Sequence, residues 1–544
     1  MWPKSPTLGG FERSLALTPA PVKALTHHGI GHSKEAPAVC RAMKKRGSRG
    51  ARSLRAGPLL GLLWLSVLSE PAWAIWPFTD PEPQGTVATR TAELLSGMIQ
   101  IPTVNPPGNE AALARWLLAR LRAGGIETKV IPIPSRTENG PSSRAALWAR
   151  VRGTGQKRPL VLLSHLDVVA ADATQWESDP FSGEIREGFV YGRGALDAKG
   201  VTAVQVMALL ELARKKATLD RDIILLATPD EEAGGIKGAG YLVRNQIELL
   251  DDAEFLLTEG GSIKPAQAGL SEASSSPAIW GVTITEKSPC WVEVLTRGQA
   301  GHGSSPRDGA AVPRLVSALD RIRRVESRIR VLAEVEAMFL ALAATAPAED
   351  RAGFISLSQA LTEDSAFTRR FMAQPGYNAL VRNTLSITVL EGSSQTNVVP
   401  SVARAELDIR LLPGERCEDF VAALDEVIAD PRVETRILLS FSSVSSPVDT
   451  ALYDAIETVA LRHDSAALVV PRMIGGFTDA HYFREQGIVS YGFTPRWLTP
   501  HDSSGIHGVN ERISVNNLGM GVETLVEIIE ALASSNPSRA TGSP

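Results

Sequence analysis

Histidine and carboxylate side chains stand at the ends of several apolar runs of the chain. Five of them mark four segments: His165 after PLVLLS, Asp197 in GRGALDAKG, Glu231 and Glu232 after DIILLATP, and Glu259 after EFLLT. In open α/β sheets, functional groups gather outside the carboxyl ends of the strands. Three of the segments end at such a position and the fourth leads into a predicted helix, so we expect these side chains to converge.

The residue types indicate a metal site with hard ligands. Imidazole and carboxylate groups suit zinc, and manganese or cobalt can take its place. The chain has 3 Cys and 9 His, which excludes a zinc site built from cysteines. In a two-metal site, ions about 3.5–4 Å apart lower the pKa of a water and polarise a carbonyl. A carboxylate beside them can move the proton, and Glu231-Glu232 supplies two such groups in one turn. The alternative is a solvated acidic turn beside structural histidines.

The elements around these residues follow an α/β pattern. Apolar runs alternate with segments of helical spacing up to about residue 286, which predicts a mixed, mostly parallel sheet flanked by helices. From Lys287 the order becomes strand, helix, strand, strand, helix, strand, as in a ferredoxin-like α+β domain. The extra stretch 325–378 predicts helices, and the α/β pattern resumes at Ala451.

These patterns divide the chain into four parts. We expect a leader over 1–74, the first part of a catalytic domain over 75–286, an inserted lid and dimerisation domain over 287–443, and the second part of the catalytic domain with a polar tail over 444–544. The lid thus interrupts the catalytic domain.

The leader has the order of a secretory signal peptide. A basic run starts at Met43, the apolar run 58–68 is too short to span a bilayer, and an A-x-A site ends at Ala74. We expect a signal peptide from about Met43, cleavage after Ala74, and a periplasmic or secreted protein with no stable membrane anchor. A short core helix is the alternative. Met1 and Met43 are alternative start sites, and the upstream part is not translated if Met43 is used.

Charge and cysteine content narrow the partners and the compartment. The formal net charge of -4 gives no indication of nucleic-acid binding. Export would place Cys290 and Cys417 in an oxidising compartment, where the two could pair. Two inert buried thiols are the alternative.

Six stretches together resemble the dizinc metallopeptidases and amidohydrolases that include aminoacylase, carboxypeptidase S and carnosinase. They occur in that family's order across roughly residues 85–535: SHLDVV, WESDPFSGEIREGFVYGRGALDAKG, TPDEEAGG, RGQAGHGSSP, TNVVPSVARAELDIRLLPGE and GIHGVNERI. The extra helical stretch and the wording GHGSSP and IHGVNE most resemble the carboxypeptidase S and N-acyl-amino-acid hydrolase branch. The resemblance implies a zinc-exopeptidase-like fold with an inserted lid.

The resemblance also implies two zinc ions per chain, with cobalt or manganese as substitutes, and a role for each motif residue. The implied ligands are His165, Asp197 as the bridge, Glu232, Glu259 and His507. Glu231 resembles the general base. Asp167 resembles the residue that orients the imidazole of the first ligand.

The lid and the C-terminal segment carry the implied substrate contacts. His302 resembles the histidine that stabilises the oxyanion, often across a dimer interface, with Asn397 beside it. Arg410 and the Gly475-Gly476 loop are candidates for binding a substrate carboxylate. A simple Gly-His-Gly turn and a salt-bridged strand arginine are the alternatives. Many relatives carry Arg at the position of His481, which puts the role of that segment in doubt.

These residues predict an exported dizinc hydrolase that cleaves the amide bond of short peptides or of N-acyl amino acids with a free carboxylate. A metal-activated water would attack, with a Glu general base, and a homodimer through the lid is expected from the resemblance. The alternatives are a non-catalytic exported peptide-binding protein on the same fold and an interaction domain whose lid only mediates dimers. Neither alternative requires a base beside a full ligand set.

Overall fold

The computed structural model describes residues 85–134, 143–250, 252–266 and 276–533. The predicted leader, with its cleavage site after Ala74, and the polar tail lie outside these ranges. Within them, no helix combines the length and the apolar character that a membrane crossing requires.

The secondary structure alternates as the apolar pattern predicts. The strands are β1 Glu127–Pro132, β2 Ala145–Val151, β3 Leu160–His165, β4 Ile185–Arg186, β5 Phe189–Tyr191, β6 Ile223–Thr228, β7 Phe255–Thr258, β8 Ser262–Lys264, β9 Ile279–Glu286, β10 Ser288–Arg297, β11 Gly301–His302, β12 Thr384–Glu391, β13 Val398–Val399, β14 Val402–Leu411, β15 Val433–Ser440, β16 Leu468–Ile474, β17 Val489–Gly492 and β18 Arg512–Ser514.

The helices are α1 Val87–Ile99, α2 Glu110–Ala123, α3 Lys199–Lys215, α4 Ala239–Asn245, α5 Ala311–Ile322, α6 Ala333–Leu342, α7 Arg351–Ile355, α8 Leu357–Glu363, α9 Ser365–Met372, α10 Pro375–Leu380, α11 Cys417–Ile428, α12 Ala451–His463, α13 Ala480–Arg484, α14 Pro500–Ser503 and α15 Val515–Ala533.

The central sheet is mixed. Its order is β1-β2-β6-β3-β7-β17-β9-β16, with β8 on β9. Strands β6, β3, β7 and β17 run parallel to one another, and β9 runs parallel to β16. The pairs β1-β2, β2-β6 and β17-β9 are antiparallel. Every residue of β3 and β6 is buried, because helices cover both faces of the sheet.

Two apolar cores lie on the faces of this sheet. Helices α1, α2, α3, α12 and α15 share one core, and α4 and α13 share the other. The sheet class and the flanking helices predicted from the sequence are therefore confirmed.

A second, wholly antiparallel sheet has the order β12-β14-β10-β15. Helices α5 and α11 contribute to its buried core. Apart from the short β11-β13 pair and the helices α6 to α10, the chain passes through it as strand, helix, strand, strand, helix, strand, the predicted ferredoxin-like order. A disulfide joins Cys290 of β10 to Cys417 of α11, with their Cα atoms 5.3 Å apart. The two cysteines are therefore paired and are not two free buried thiols.

The extra stretch between α5 and β12 is helical, as predicted, and forms helices α6 to α10. Five aromatic residues pack together at its centre: Phe339, Phe354, Phe367, Phe371 and Tyr377. The same core includes Val470 and Met473 of β16. The insertion thus covers the outer strand of the central sheet.

Candidate metal centre

The predicted ligands meet at one edge of the central sheet. His165 is the last residue of β3, Glu231 and Glu232 follow β6 by a short turn, and Glu259 directly follows β7. Strands β6, β3 and β7 are parallel neighbours, so their carboxyl ends lie side by side. Asp197 is in the loop before α3. The convergence expected from the strand ends is what the structure shows.

The first part of the cluster surrounds the buried imidazole of His165. Its Nε2 lies 3.0 Å from Asp197 Oδ1, 3.4 Å from Glu259 Oε1 and 3.9 Å from Glu231 Oε2. On the other side, Nδ1 lies 3.0 Å from the backbone oxygen of Asp167. A proton on Nδ1 donated to that oxygen leaves the lone pair of Nε2 directed at the carboxylates, as a metal ligand requires.

The second part of the cluster is completed from the C-terminal segment. His507 Nε2 lies 3.3 Å from Asp197 Oδ2 and 3.2 Å from Glu232 Oε2. Asp197 therefore presents one oxygen to His165 and the other to His507. A carboxylate that faces two separate histidines in this way has the placement of a bridge between two cations.

The donor set fits divalent cations. Two triads place one possible ligand atom per residue within 4.8 Å of each other: His165 with Glu231 and Glu259, and His165 with Asp197 and Glu232. Oε1 of Glu232 is buried without a hydrogen-bond partner among the described residues. A divalent cation would satisfy such an unpartnered acceptor among several carboxylates.

Burial and crowding set the charges in the cluster. Burial raises the pKa of Glu231 well above its usual range, with like charge from Glu259 adding to the effect. Burial also opposes ionisation of Asp197, but its contacts with His165 and His507 outweigh this and lower its pKa. The pKa of His507 rises to about 10 because it faces Asp197 and Glu232.

Asp167 supports the turn that carries the two glutamates. Its fully buried carboxylate accepts the backbone N–H of Glu231 on Oδ1 and the N–H of Glu232 on Oδ2, both at 3.1 Å. The carboxylate is 3.6 Å from His165 Nδ1. The Asp167 backbone oxygen, at 3.0 Å, is thus the nearer partner of the imidazole, and the side chain positions the turn.

Glu511 is a site residue that sequence analysis left without a role. Glu511 is fully buried, and its carboxylate accepts hydrogen bonds from the backbone N–H groups of Gly194, Leu196 and Asp197. The same carboxylate forms an ion pair with Arg193. These contacts hold the loop that carries Asp197. The peptide bond between Asp197 and Ala198 in this loop is cis. The only sequence signal was its position at the end of GIHGVNE.

The two residues predicted for the oxyanion are His302, at the end of β11, and Asn397, just before β13. His302 is exposed, and its Nδ1 accepts the backbone N–H of Ser304 at 3.1 Å. The backbone oxygen of Asn397 accepts the N–H of Gly303 at 2.7 Å, so the two predicted residues are neighbours. In the described part of the chain, neither forms a hydrogen bond or an ion pair with a predicted ligand.

Arg410 is both a salt-bridged strand residue and a neighbour of the glycine loop. Asp408 accepts two of its N–H groups, at 2.6 and 3.0 Å, and the guanidinium lies 4.9 Å from the ring centre of Phe477. Phe477 directly follows the exposed Gly475-Gly476 pair. Nη1 of Arg410 is buried without a partner among the described residues.

His481 has a packing role in this structure. Its buried ring stacks on Phe441 with the ring centres 3.4 Å apart, and it also contacts Tyr482. Both ring nitrogens lack a hydrogen-bond partner among the described residues, and burial lowers the pKa of the imidazole. Phe441 belongs to the segment that returns from the second sheet, so His481 packs where the two sheets are connected.

The mixed sheet, the inserted antiparallel sheet and the His-carboxylate cluster at the strand ends define a metal-dependent hydrolase. The family model described as peptidase family M20/M25/M40 matches residues 161–531, and the chain belongs to this family. The family is metal-dependent, typically with a dinuclear centre, and the chain is a hydrolase of the amidohydrolase type.

Two relatives and one solved structure are similar to this chain, the structure in its fold. The N-fatty-acyl-amino acid synthase/hydrolase of Mus musculus is 28% identical over 80% of this chain and 87% of its own length. The probable carboxypeptidase S-like 2 of Dictyostelium discoideum is 27% identical over 69% of this chain and 71% of its own. The crystal structure of an M20 family metallo-carboxypeptidase from Sulfolobus solfataricus has a TM-score of 0.62 and 19% identity, covering 81% of this chain and 99% of that one.

Proposed function

We propose that the protein is an exported dizinc hydrolase that cleaves the amide bond of short peptides or N-acyl amino acids bearing a free carboxylate. One observation carries the two-metal part: the carboxylate of Asp197 faces His165 with one oxygen and His507 with the other. The names of the relatives, an N-fatty-acyl-amino acid synthase/hydrolase and a carboxypeptidase, support the substrate class.

The residues of the cluster divide into ligands and a base. His165, Asp197, Glu232, Glu259 and His507 would hold the cations, for which cobalt or manganese could substitute. Two such ions, when bound, supply Lewis acidity that lowers the pKa of water and polarises the scissile carbonyl. Glu231 then accepts the proton of the water and passes it to the leaving amine, a role that suits a carboxylate whose pKa is raised by burial.

The substrate carboxylate is assigned to the junction of the second sheet with the central sheet. Nη1 of Arg410 has no hydrogen-bond partner among the described residues, and the guanidinium contacts Phe477 beside the Gly475-Gly476 loop. His302, with Asn397 next to it, would stabilise the oxyanion after closure of the lid or from a second subunit. The exposure of His302 leaves it open to a partner.

The remaining parts of the proposal concern the whole chain. We propose a leader over 1–74 with a signal peptide, a catalytic domain over 75–286 and 444–544, and a lid over 287–443. We also propose a homodimer through the lid. The edge strand β12 supports the last point, since Ile387 and Leu390 expose 40% and 63% of their surface.

The test is hydrolysis of a panel of dipeptides and N-acyl amino acids by the purified chain, with bound metal quantified. Wild type should cleave some of them, and removal of the metal with a chelator should abolish activity until zinc is restored. Glu231→Ala should hold two metals per chain but lose about 10²- to 10⁴-fold in kcat, the contribution typical of a general base.

The outcomes separate the hypotheses. A wild-type chain that holds two metals and cleaves nothing favours the peptide-binding protein. A chain that holds no metal after zinc repletion contradicts the ligand assignment and the enzyme together.

A further inference from the structure

A buried network centred on Arg144 lies next to the turn that carries the two glutamates. Arg144, which directly precedes β2, exposes only 6% of its side chain. Its Nη1 lies 2.8 Å from Asp230 Oδ1 and 3.1 Å from Glu110 Oε1. Its Nη2 donates to Asn105 Oδ1 at 2.5 Å and to the backbone oxygen of Pro107 at 2.9 Å. Both ends of the guanidinium are therefore committed to fixed partners.

Asp230 connects this network to the general base. It directly precedes Glu231 and has a φ of +75°, a left-handed conformation that non-glycine residues rarely adopt. Its Oδ2 accepts the N–H of Lys237 at 2.8 Å, and its backbone oxygen accepts the N–H of Gly235 at 2.7 Å. Because Arg144 binds Oδ1 and the N–H of Lys237 binds Oδ2, both oxygens of the Asp230 carboxylate help to maintain the left-handed conformation that begins this turn.

A second connection passes through Asn105. While its Oδ1 accepts from Arg144, its Nδ2 donates to Asp167 Oδ2 at 2.8 Å. The same Asp167 carboxylate accepts the backbone N–H groups of Glu231 and Glu232. Arg144 thus reaches the glutamate turn by two routes, through Asp230 and through Asn105 with Asp167.

We propose that Arg144 is a positioning residue that fixes the Glu231–Glu232 turn and thereby aims the general base, an inference that rests on the proposed function. The guanidinium is the partner shared by Glu110 and Asp230, and its removal leaves buried negative charge without a counterion. Lysine cannot replace it, because a single ammonium group cannot bind at the same time the separate partners that the two terminal nitrogens of the guanidinium bind. A misplacement of about 1 Å at a catalytic group can lower the rate about 10²-fold.

A purely structural ion pair is the competing explanation, and Arg221 provides the matched control. Its side chain is 1% exposed, and its Nη1 lies 2.9 Å from Glu254 Oε2. It precedes the amino end of β6, whereas the cluster lies at the carboxyl end. Arg221→Lys should lower the melting temperature and leave the kcat of the metal-loaded chain unchanged.

The experiment measures kcat, KM, bound metal, melting temperature and, after cobalt substitution, the visible absorption spectrum. Arg144→Lys and Asp230→Asn should each lower kcat about 10- to 100-fold, with KM changed by less than about threefold and two metals retained. The double variant should be no slower than the slower single variant, because Arg144→Lys already breaks the connection that Asp230→Asn breaks. Both should alter the cobalt spectrum, which reports the geometry of the ligands, Glu232 among them, whereas Arg221→Lys should not.

Two results would overturn the proposal: wild-type kcat with a wild-type cobalt spectrum in both single variants, or effects that add fully in the double variant. If Arg144→Lys does not fold, the nearly isosteric Asp230→Asn decides alone by the same two measurements. If wild type cleaves no substrate, the proposed function fails, but the cobalt spectra still support or overturn the positioning role.

Discussion

At the scale of single residues, the pKa values of two carboxyl groups of this centre are shifted in opposite directions. Asp197 contacts two histidines, which lower its pKa. Glu231 is buried, which raises its pKa. Environments that separate the pKa values of adjacent acids are typical of sites where one group stays charged and another moves protons. The same division agrees with a ligand role for Asp197 and a base role for Glu231.

A buried lysine outside the centre leads us to expect that stability depends on pH. Lys287, at the entrance to the second sheet, is fully buried and donates to the backbone oxygen of Arg382 at 2.8 Å. Burial, with the nearby charge of Arg410, lowers its pKa from 10.5 to about 7. Between these values the unfolded chain holds a proton that the folded chain has released, so stability should rise with pH, by up to about 1.4 kcal/mol per pH unit.

Lys287→Met removes this titration. We expect the free energy of unfolding of wild type, minus that of the variant, to increase from pH 7 to pH 9, as measured by urea denaturation. A difference that is the same at both pH values would show that the lysine titrates outside this window.

At the scale of elements, the loops at the strand ends are held by buried charges from distant segments. Glu511, just before β18, fixes the loop that precedes α3 by accepting three of its N–H groups. Asp167, just after β3, fixes the turn after β6. The ligands are thus carried by loops whose backbone groups are bonded to neighbouring elements, which limits their motion.

The disulfide between β10 and α11 gives a prediction at this scale. It closes a loop with a sequence separation of 127 between Cys290 and Cys417. In the chain-entropy model, closing a loop of that size restricts the unfolded chain by about 4–5 kcal/mol. The double variant Cys290→Ala/Cys417→Ala should therefore unfold at a lower denaturant concentration. Wild type under reducing conditions is the control and should lose a similar amount; an unchanged midpoint in both would contradict the prediction.

At the scale of the whole molecule, the helical insertion joins the two sheets. Its aromatic core includes residues of β16 from the central sheet. The carboxylate of Glu334 in α6 accepts a hydrogen bond from the hydroxyl of Ser445, in the segment that returns from the second sheet, at 2.7 Å. The backbone oxygen of Arg382 accepts one from Nζ of Lys287, in the segment that leads into that sheet. The insertion therefore contacts both chain connections between the sheets and restrains their relative movement.

We predict that two copies of the chain dimerise through the exposed edge of the second sheet. Strand β12 is an edge strand, and unpaired strand edges readily pair with another chain. Leu390→Glu should convert a dimer into a monomer, as measured by sedimentation equilibrium at micromolar concentration. The control is Leu340→Glu, at an equally apolar position that is 54% exposed on α6, and it should remain dimeric. A monomeric wild type would refute the homodimer.

The sequence allowed prediction of the ligand cluster because its residues stand at the ends of local patterns. An apolar run that ends in a histidine or a carboxylate places that group at the sheet edge whatever the partners of the strand are. The same locality explains the helices of the insertion.

The sequence by itself determined the α/β class, the inserted sheet and the candidate ligands at the strand ends, because periodicity and strand ends are local properties; the roles of Asp197 and His507 came from the resemblance to a known family. Only the tertiary structure decided which buried charges meet. The contact between Arg193 and Glu511 joins residues 318 positions apart, and that between Arg144 and Asp230 joins two different loops. No local pattern encodes such pairs. Their geometry depends on how the helices and sheets pack, and packing is what places each guanidinium beside its carboxylate.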